Sequence, residues 1–179
     1  MGLHYPDLNP EVRAIMLEEL SQDISNGTLY ISPRLTPDGA DRYPALAREA
    51  FSHGDDDSFA GDLSRSGAIK SHEERRKRSG GVTIAQVPVT AAQTLAEGEF
   101  NRFYMRALCV NVMRSAHGRL VVHRAKPVRD PRPESEAMIG RTVDARSLLA
   151  DLKAPPGVDA ARGLPGGPNS GLSLRIRGL

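Results

Sequence analysis

The stretch Glu97-Gly98-Glu99-Phe100-Asn101-Arg102-Phe103-Tyr104-Met105-Arg106-Ala107-Leu108-Cys109 decides where this fold is centred. It holds two of the four Phe and one of the four Tyr in a chain that is 4 % aromatic and has no Trp. Aromatic side chains bury the most area per residue, so a small set of them marks the core. The helical period runs outward from this stretch over Thr90 to His117 and is closed by Gly118. On a helical wheel Tyr104, Met105, Leu108, Cys109, Val112 and Ala116 fill one broad sector, and Phe100, Phe103 and Ala107 fill another. A helix apolar over most of its circumference is packed on several sides, which makes this one central. Gly98 costs about 1 kcal/mol relative to Ala inside a helix and marks a place for a kink or a helix start.

Glu99, Arg102 and Arg106 share the narrow polar strip between the two sectors. Glu99 stands three residues before Arg102, the spacing of a helical ion pair. A buried Arg must be paired, so Arg106 requires a further carboxylate, expected from Glu134 or Glu136 in the proline-bearing loop Asp130 to Glu136. The strip reads as a structural ion network, with an anion-binding site as the alternative.

Before the central helix, Asn9-Pro10 supplies a capping oxygen and a first-turn proline. Val12, Ile15, Met16, Leu20 and Ile24 follow at helical spacing, with Arg13, Glu18, Glu19 and Gln22 mostly opposite, and Asn26-Gly27 ends the helix. Thr28 to Leu35 reads as a strand or an extended connection. Thr36-Pro37 opens another helix, but Pro44 predicts a break there, with a new helix from Tyr43-Pro44 carrying Leu46, Ala47, Ala50 and Phe51. Asp55-Asp56-Asp57 caps a short helix with Phe59 and Leu63. Ser66 to Gly81 is expected to be a charged, mobile linker, and Val82 to Val89 a strand with Pro88 at its end or on an edge.

After the central helix, Arg119 to Val128 is the clearest strand, and Asp144 to Lys153 a short helix with Leu148, Leu149 and Leu152. From Ala154 onward Pro and Gly dominate, ending in the alternating Leu172-Ser173-Leu174-Arg175-Ile176. That segment is an edge strand or an arm that adds to another subunit's sheet through Leu172, Leu174 and Ile176. The expected organisation is a helical part over 1–65, a linker over 66–81, a core helix–strand–helix part over 82–153 and an extended arm over 154–179. The fold class is α+β, helix-dominated.

The chain has 179 residues, 39 % of them hydrophobic, with 17 Gly and 13 Pro, which suits one modest core with extended segments around it. A net charge of +2, from 24 basic and 22 acidic residues, does not by itself point to nucleic acid. Cys109 is the one cysteine, so no internal disulfide and no cysteine zinc cluster is expected, and its place in an apolar helix predicts a buried thiol. The N-terminal Met-Gly-Leu-His-Tyr-Pro has no basic region followed by an apolar run, and Pro6 sits where a myristoylation signal wants Ser or Thr. No run approaches a membrane span. These features predict a soluble protein made in the cytoplasm, with no membrane partner.

Catalytic and cofactor signatures are not found. Asp55 to Asp57 lacks the alternating ligands of a calcium loop. The histidines at 4, 53, 72, 117 and 123 show no short ligand spacing, although His117 and His123 flank one helix–strand connection. Gly163 to Gly171 resembles a phosphate loop in composition alone, without a Lys-Ser/Thr to follow. Ser135 and Ser170 lie in no nucleophile elbow. Arg75-Arg76-Lys77-Arg78 follows Glu73-Glu74 and has no aromatic neighbour for base stacking. It reads as a solvated charged run, with contact to nucleic acid or an acidic partner surface as the alternative.

Three segments carry a resemblance: Glu97 to Tyr104, Arg132-Pro133-Glu134-Ser135-Glu136 and Gly167-Pro168-Asn169-Ser170-Gly171-Leu172. Together, in this order and over most of the chain, they resemble a family of small proteins of tailed bacteriophages and prophages. The resemblance carries no activity and no functional residue. It implies a virion component, either capsid-associated, a connector or another assembly protein, made in the host cytoplasm and partnered by other virion proteins or by itself. Two other classes stay open: a nucleic-acid-binding regulator using Arg75 to Arg78, and an enzyme with a site built from Glu99, Arg102, Arg106 and the proline loop.

Overall fold

A computed structural model describes residues 2–77, 79–115, 118–154 and 171–178. Among them six helices and two small sheets form a helix-dominated α+β fold. The central helix, α4, spans Ala91–Ser115 without a break at Gly98. The other elements are arranged around it. Helix α1 (Pro10–Asn26), α3 (Asp56–Arg65) and α6 (Ala145–Lys153) pack directly on α4, and α2 (Pro37–His53) packs on α1 and α3. Strands β3 (Arg119–Arg124), β4 (Thr142–Val143) and β5 (Leu172–Arg177) form an antiparallel sheet in the order β4-β3-β5 against α4. Strands β1 (His72–Arg76) and β2 (Val82–Gln86) make a separate antiparallel hairpin, and α5 (Pro133–Met138) is a single short helix.

The core is built on aromatic contacts. Phe51 lies 5.0 Å from Phe103, 5.5 Å from Phe100 and 6.3 Å from Phe59, centroid to centroid. Tyr5 adds contacts at 5.0 Å to Phe100 and 4.9 Å to Tyr104, and Tyr43 lies 5.7 Å from Phe59. All four Phe and three of the four Tyr therefore meet in one cluster, with Phe100, Phe103 and Tyr104 of α4 among them.

Caps were legible and form as their residues dictate. Asn9 accepts from the Val12 N–H at 3.0 Å, Thr36 from Gly39 at 2.9 Å, Asp55 from Ser58 at 2.8 Å and Asp144 from Ser147 at 2.8 Å. Gly27 takes the left-handed conformation, φ 65°, that ends α1.

Two expectations need correction, and two readings left open are decided. Pro44 does not divide α2, which runs through it from Pro37 to His53. Proline removes the N–H that would meet the Ala40 carbonyl, but Tyr43, Ala47, Ala50 and Phe51 are buried on either side and hold the helix together. Thr28 to Leu35 forms no strand; Leu35 makes one isolated bridge to Ile69. The described residues of 66–81 are not a loose linker. Thr36 donates to the Ala68 carbonyl at 2.8 Å, Lys70 to the Arg34 carbonyl at 2.8 Å, and the chain then enters β1. The Ser79-Gly80-Gly81 punctuation is the hairpin turn, with Gly80 and Gly81 at φ 87° and 83°. Finally, the C-terminal segment is an edge strand of this chain's own sheet: β5 pairs along β3 from Arg119↔Arg177 to Arg124↔Leu172. Leu172 and Leu174 are buried in the common core, and Ile176 packs against it. Arg78, Ala116, His117 and the Pro/Gly-rich stretch 155–170 lie outside the described residues.

Candidate functional site: an exposed hairpin and a closed ion network

The polar strip of α4 is buried rather than solvated. Arg106 is fully buried, with its guanidinium 4.6 Å from the Phe103 ring centroid. Its Nε and Nη2 donate to Glu19 Oε2 at 2.9 and 2.7 Å, and its Nη1 and Nη2 donate to Asp23 at 2.7 and 2.9 Å. The expectation that Glu134 or Glu136 would pair with Arg106 is wrong: Glu136 pairs with Arg124 instead. The reason lies in α1, where the buried positions are Val12, Ile15, Met16, Glu19, Leu20 and Asp23. Glu19 and Asp23 occupy the inward stripe of that helix, and Ile24, expected on it, is exposed. Arg102 pairs with Glu99 at 2.6 Å, as its spacing required, and donates to the Leu152 carbonyl at 3.2 Å. Lys153 reaches Glu19 at 2.9 Å.

Arg106, Glu19, Asp23 and Lys153 thus close on one another and join α1, α4 and α6, and the charge of Arg102, itself paired with Glu99, acts on Asp23 from beside them. Burial works to raise the Asp23 carboxyl, but the Arg106 hydrogen bonds and charge overcome it and hold Asp23 below the ordinary range. Glu99 thus pairs with Arg102, and Arg106 pairs separately with Glu19 and Asp23; among the described contacts the proline loop joins neither.

Two acids missed by sequence reasoning hold the N-terminal segment. Asp56 accepts from the Leu3 N–H at 3.0 Å and Asp57 from Gly2 at 2.7 Å. Burial lifts the Asp56 carboxyl to about 6, against the Leu3 hydrogen bond and helped by the charge of Asp57. The folded protein therefore holds a proton on Asp56 over part of the range in which the unfolded chain has lost it. That contribution is fully present below pH about 4 and disappears as pH rises through about 6. Asp56→Asn, which keeps an acceptor for Leu3, is expected to be more stable than the native chain at pH 7 and equal to it at pH 4. Thermal melts at the two pH values check this.

Cys109 is buried, and burial pushes its thiol up to about 12, which leaves it inert. His4 and His123 stand edge to face at 6.4 Å. Among the described residues no group of three or more His, Cys, Asp or Glu could hold a metal ion, and no helix is long and apolar enough to cross a membrane.

The basic run falls on the hairpin. Arg75 donates through Nε and Nη2 to Glu73 at 2.8 and 2.6 Å, and Arg34 grips the same carboxylate at 2.7 and 3.1 Å. Arg34 and then Arg75 hold the Glu73 carboxyl below its ordinary range. The inner face, with Glu73, Thr83 and Ala85 half-buried, is tied to the body through Arg34. The outer face carries His72, Glu74, Arg76, Val82, Ile84 and Gln86, all exposed. Val82 is 57 % exposed, Ile84 73 %, and Val89 just beyond is wholly exposed. Arg76 shares this face with Glu74, and Lys77 enters the turn, so the described cations Arg75, Arg76 and Lys77 do not gather into one basic patch. What the outer face offers instead is apolar β-branched surface on a free strand edge.

No protein-family model, curated protein or solved structure matches the chain.

Proposed function

We propose that the chain is a non-enzymatic structural protein of a tailed-bacteriophage particle that docks on neighbouring subunits through the β1–β2 hairpin. One observation carries this reading: Val82 and Ile84 stand exposed on a two-stranded hairpin outside the main sheet. Two strands alone are marginal in water, and apolar side chains on such an element gain most when a partner covers them. The resemblance of Glu97–Tyr104, Arg132–Glu136 and 167–172 to phage proteins supplies the setting. The closed pairing of Arg102 and Arg106 favours assembly over chemistry, because both guanidiniums are held against carboxylates and are not offered to a substrate. The ion pair of Arg75 with Glu73 favours a protein partner over a phosphate backbone.

Mass spectrometry of purified particles is the test. The native chain is expected in the particle fraction. A variant with Asn-Gly in place of residues 72–86, turning at the Val87-to-Ser71 rung, is expected to melt like the native protein and to stay out of particles. Recovery of the native chain from the particle-free fraction alone would remove the reading. Salt-sensitive DNA retention, abolished by reversing the charges of Arg75, Arg76 and Lys77, would replace it with a nucleic-acid-binding regulator.

A further inference from the structure

The register of the hairpin determines which backbone groups remain open. Val87 donates to the Ser71 carbonyl at 2.9 Å and Lys77 to the Gly81 carbonyl at 3.0 Å. In an antiparallel ladder hydrogen-bonded and non-hydrogen-bonded pairs alternate. Thr83 and Ala85 therefore face β1 with their backbone groups, and Val82, Ile84 and Gln86 turn theirs away. On the other strand His72, Glu74 and Arg76 do the same.

The two open edges differ chemically. The β1 edge carries Glu74 and Arg76, charged side chains of the kind that discourage edge pairing. Residues 82–89, Val-Thr-Ile-Ala-Gln-Val-Pro-Val, contain no charge at all. Uncharged, β-branched and exposed, the β2 edge is a template for another strand.

We propose that β2 pairs antiparallel with β2 of a second copy of this chain, about a two-fold axis through Ile84, to give a four-stranded sheet in the order β1-β2-β2-β1. The segment complements itself. Two-fold pairing sets Ile84 opposite Ile84, Val82 opposite Gln86 and Thr83 opposite Ala85. The outward groups of Val82, Ile84 and Gln86 then form about six backbone hydrogen bonds across the seam. Val82 and Ile84 of both copies lie on one face and join into a single apolar stripe. Like charges do not meet: Glu74 and Arg76 sit on the outer strands, roughly 14 Å apart at three strand spacings, beyond the physiological Debye length of about 8 Å. A strand from another protein would satisfy the hydrogen bonds, but a second copy brings the matching segment at the same exposure.

The inference rests on the reading of the hairpin as the docking surface, and two measurements separate them. Analytical ultracentrifugation of the full chain is expected to show a dimer. Ile84→Pro removes an N–H that points away from β1, so the hairpin keeps its own bonds, and the dimer should weaken by at least about 100-fold with an unchanged melting curve. Glu74→Pro, the same change at the β1 edge, should leave the dimer intact. Ile84→Cys should cross-link between copies under mild oxidation, with little background because Cys109 is buried. A native chain that stays monomeric, or a dimer that survives Ile84→Pro, overturns the self-pairing. A monomer found in particles would overturn the pairing alone; a dimer absent from particles would overturn the virion role alone.

Discussion

Arg106→Met is expected to lower the unfolding free energy by about 3–5 kcal/mol, read as a fall in the urea midpoint at unchanged m-value. The native guanidinium is fully buried and donates four hydrogen bonds to two carboxylates. Removing it leaves Glu19 and Asp23 buried side by side on one helix face. Lys153 still reaches Glu19, but Asp23 retains only a long contact from Thr28 at 3.4 Å. Arg106→Lys should recover only part of the loss, because one ammonium cannot span both carboxylates as the planar fork does. The informative variant changes all three residues together, Glu19→Met, Asp23→Leu and Arg106→Met. Well-packed apolar residues replace a buried ion network at little cost, so the triple variant should come within about 1 kcal/mol of the native chain. A loss under about 1 kcal/mol for Arg106→Met alone would mean that the network does not hold α1 to α4. The pH dependence has a defined sign. Asp23 is held low in the folded state, so the stability it contributes is present above the unfolded carboxyl value near 4 and is lost as pH falls through the lower folded value.

The central helix and its aromatic content were legible because both follow from one chain-local signal. Phe100, Phe103 and Tyr104 cannot be left in water, and their three- and four-residue spacing gathers them on one face of α4. The need for a carboxylate opposite Arg106 was legible for the same reason, but its source was not. Counting along α1 from Val12 in steps of three and four passes through Ile15, Met16, Glu19, Leu20 and Asp23. An acid at two positions of an otherwise apolar stripe was the available signal. It was obscured by Ile24, whose hydrophobicity suggested the wrong sector. Pro44 shows the opposite case, where a local rule gives way to packing around Tyr43 and Phe51. Strand β1, His-Glu-Glu-Arg-Arg, has almost no β-propensity of its own. It becomes a strand through its pairing with Val82–Gln86 and the Arg34 grip on Glu73, both long-range relations.

Removal of every residue after Ala154 is expected to abolish cooperative unfolding rather than to release a folded monomer. A docking arm that serves only a neighbour can be cut away without harm to its own domain, whereas β5 is woven into this one. Leu172 and Leu174 are buried beside α4, and burying each contributes about 1.5–3 kcal/mol. Asn101 of α4 donates to the Leu172 carbonyl at 2.9 Å and accepts from Ser173 at 2.6 Å. Ile176 donates to Asp7 at 2.8 Å, and the Ala125 N–H meets the Gly171 carbonyl at 2.8 Å. Cutting before β5 also strips the long edge of β3, which keeps only the two-residue β4 as a partner. Typical domains are stable by about 5–15 kcal/mol, so these losses together approach the whole. Leu174→Ala is the graded version and should cost about 2–5 kcal/mol, which leaves a measurable transition. Calorimetry of the truncated chain decides the matter: a cooperative melt at the native temperature would show that β5 adds nothing to this domain. Its absence, with Leu174→Ala shifted as expected, would make the C-terminal strand part of the core rather than an arm for a neighbour.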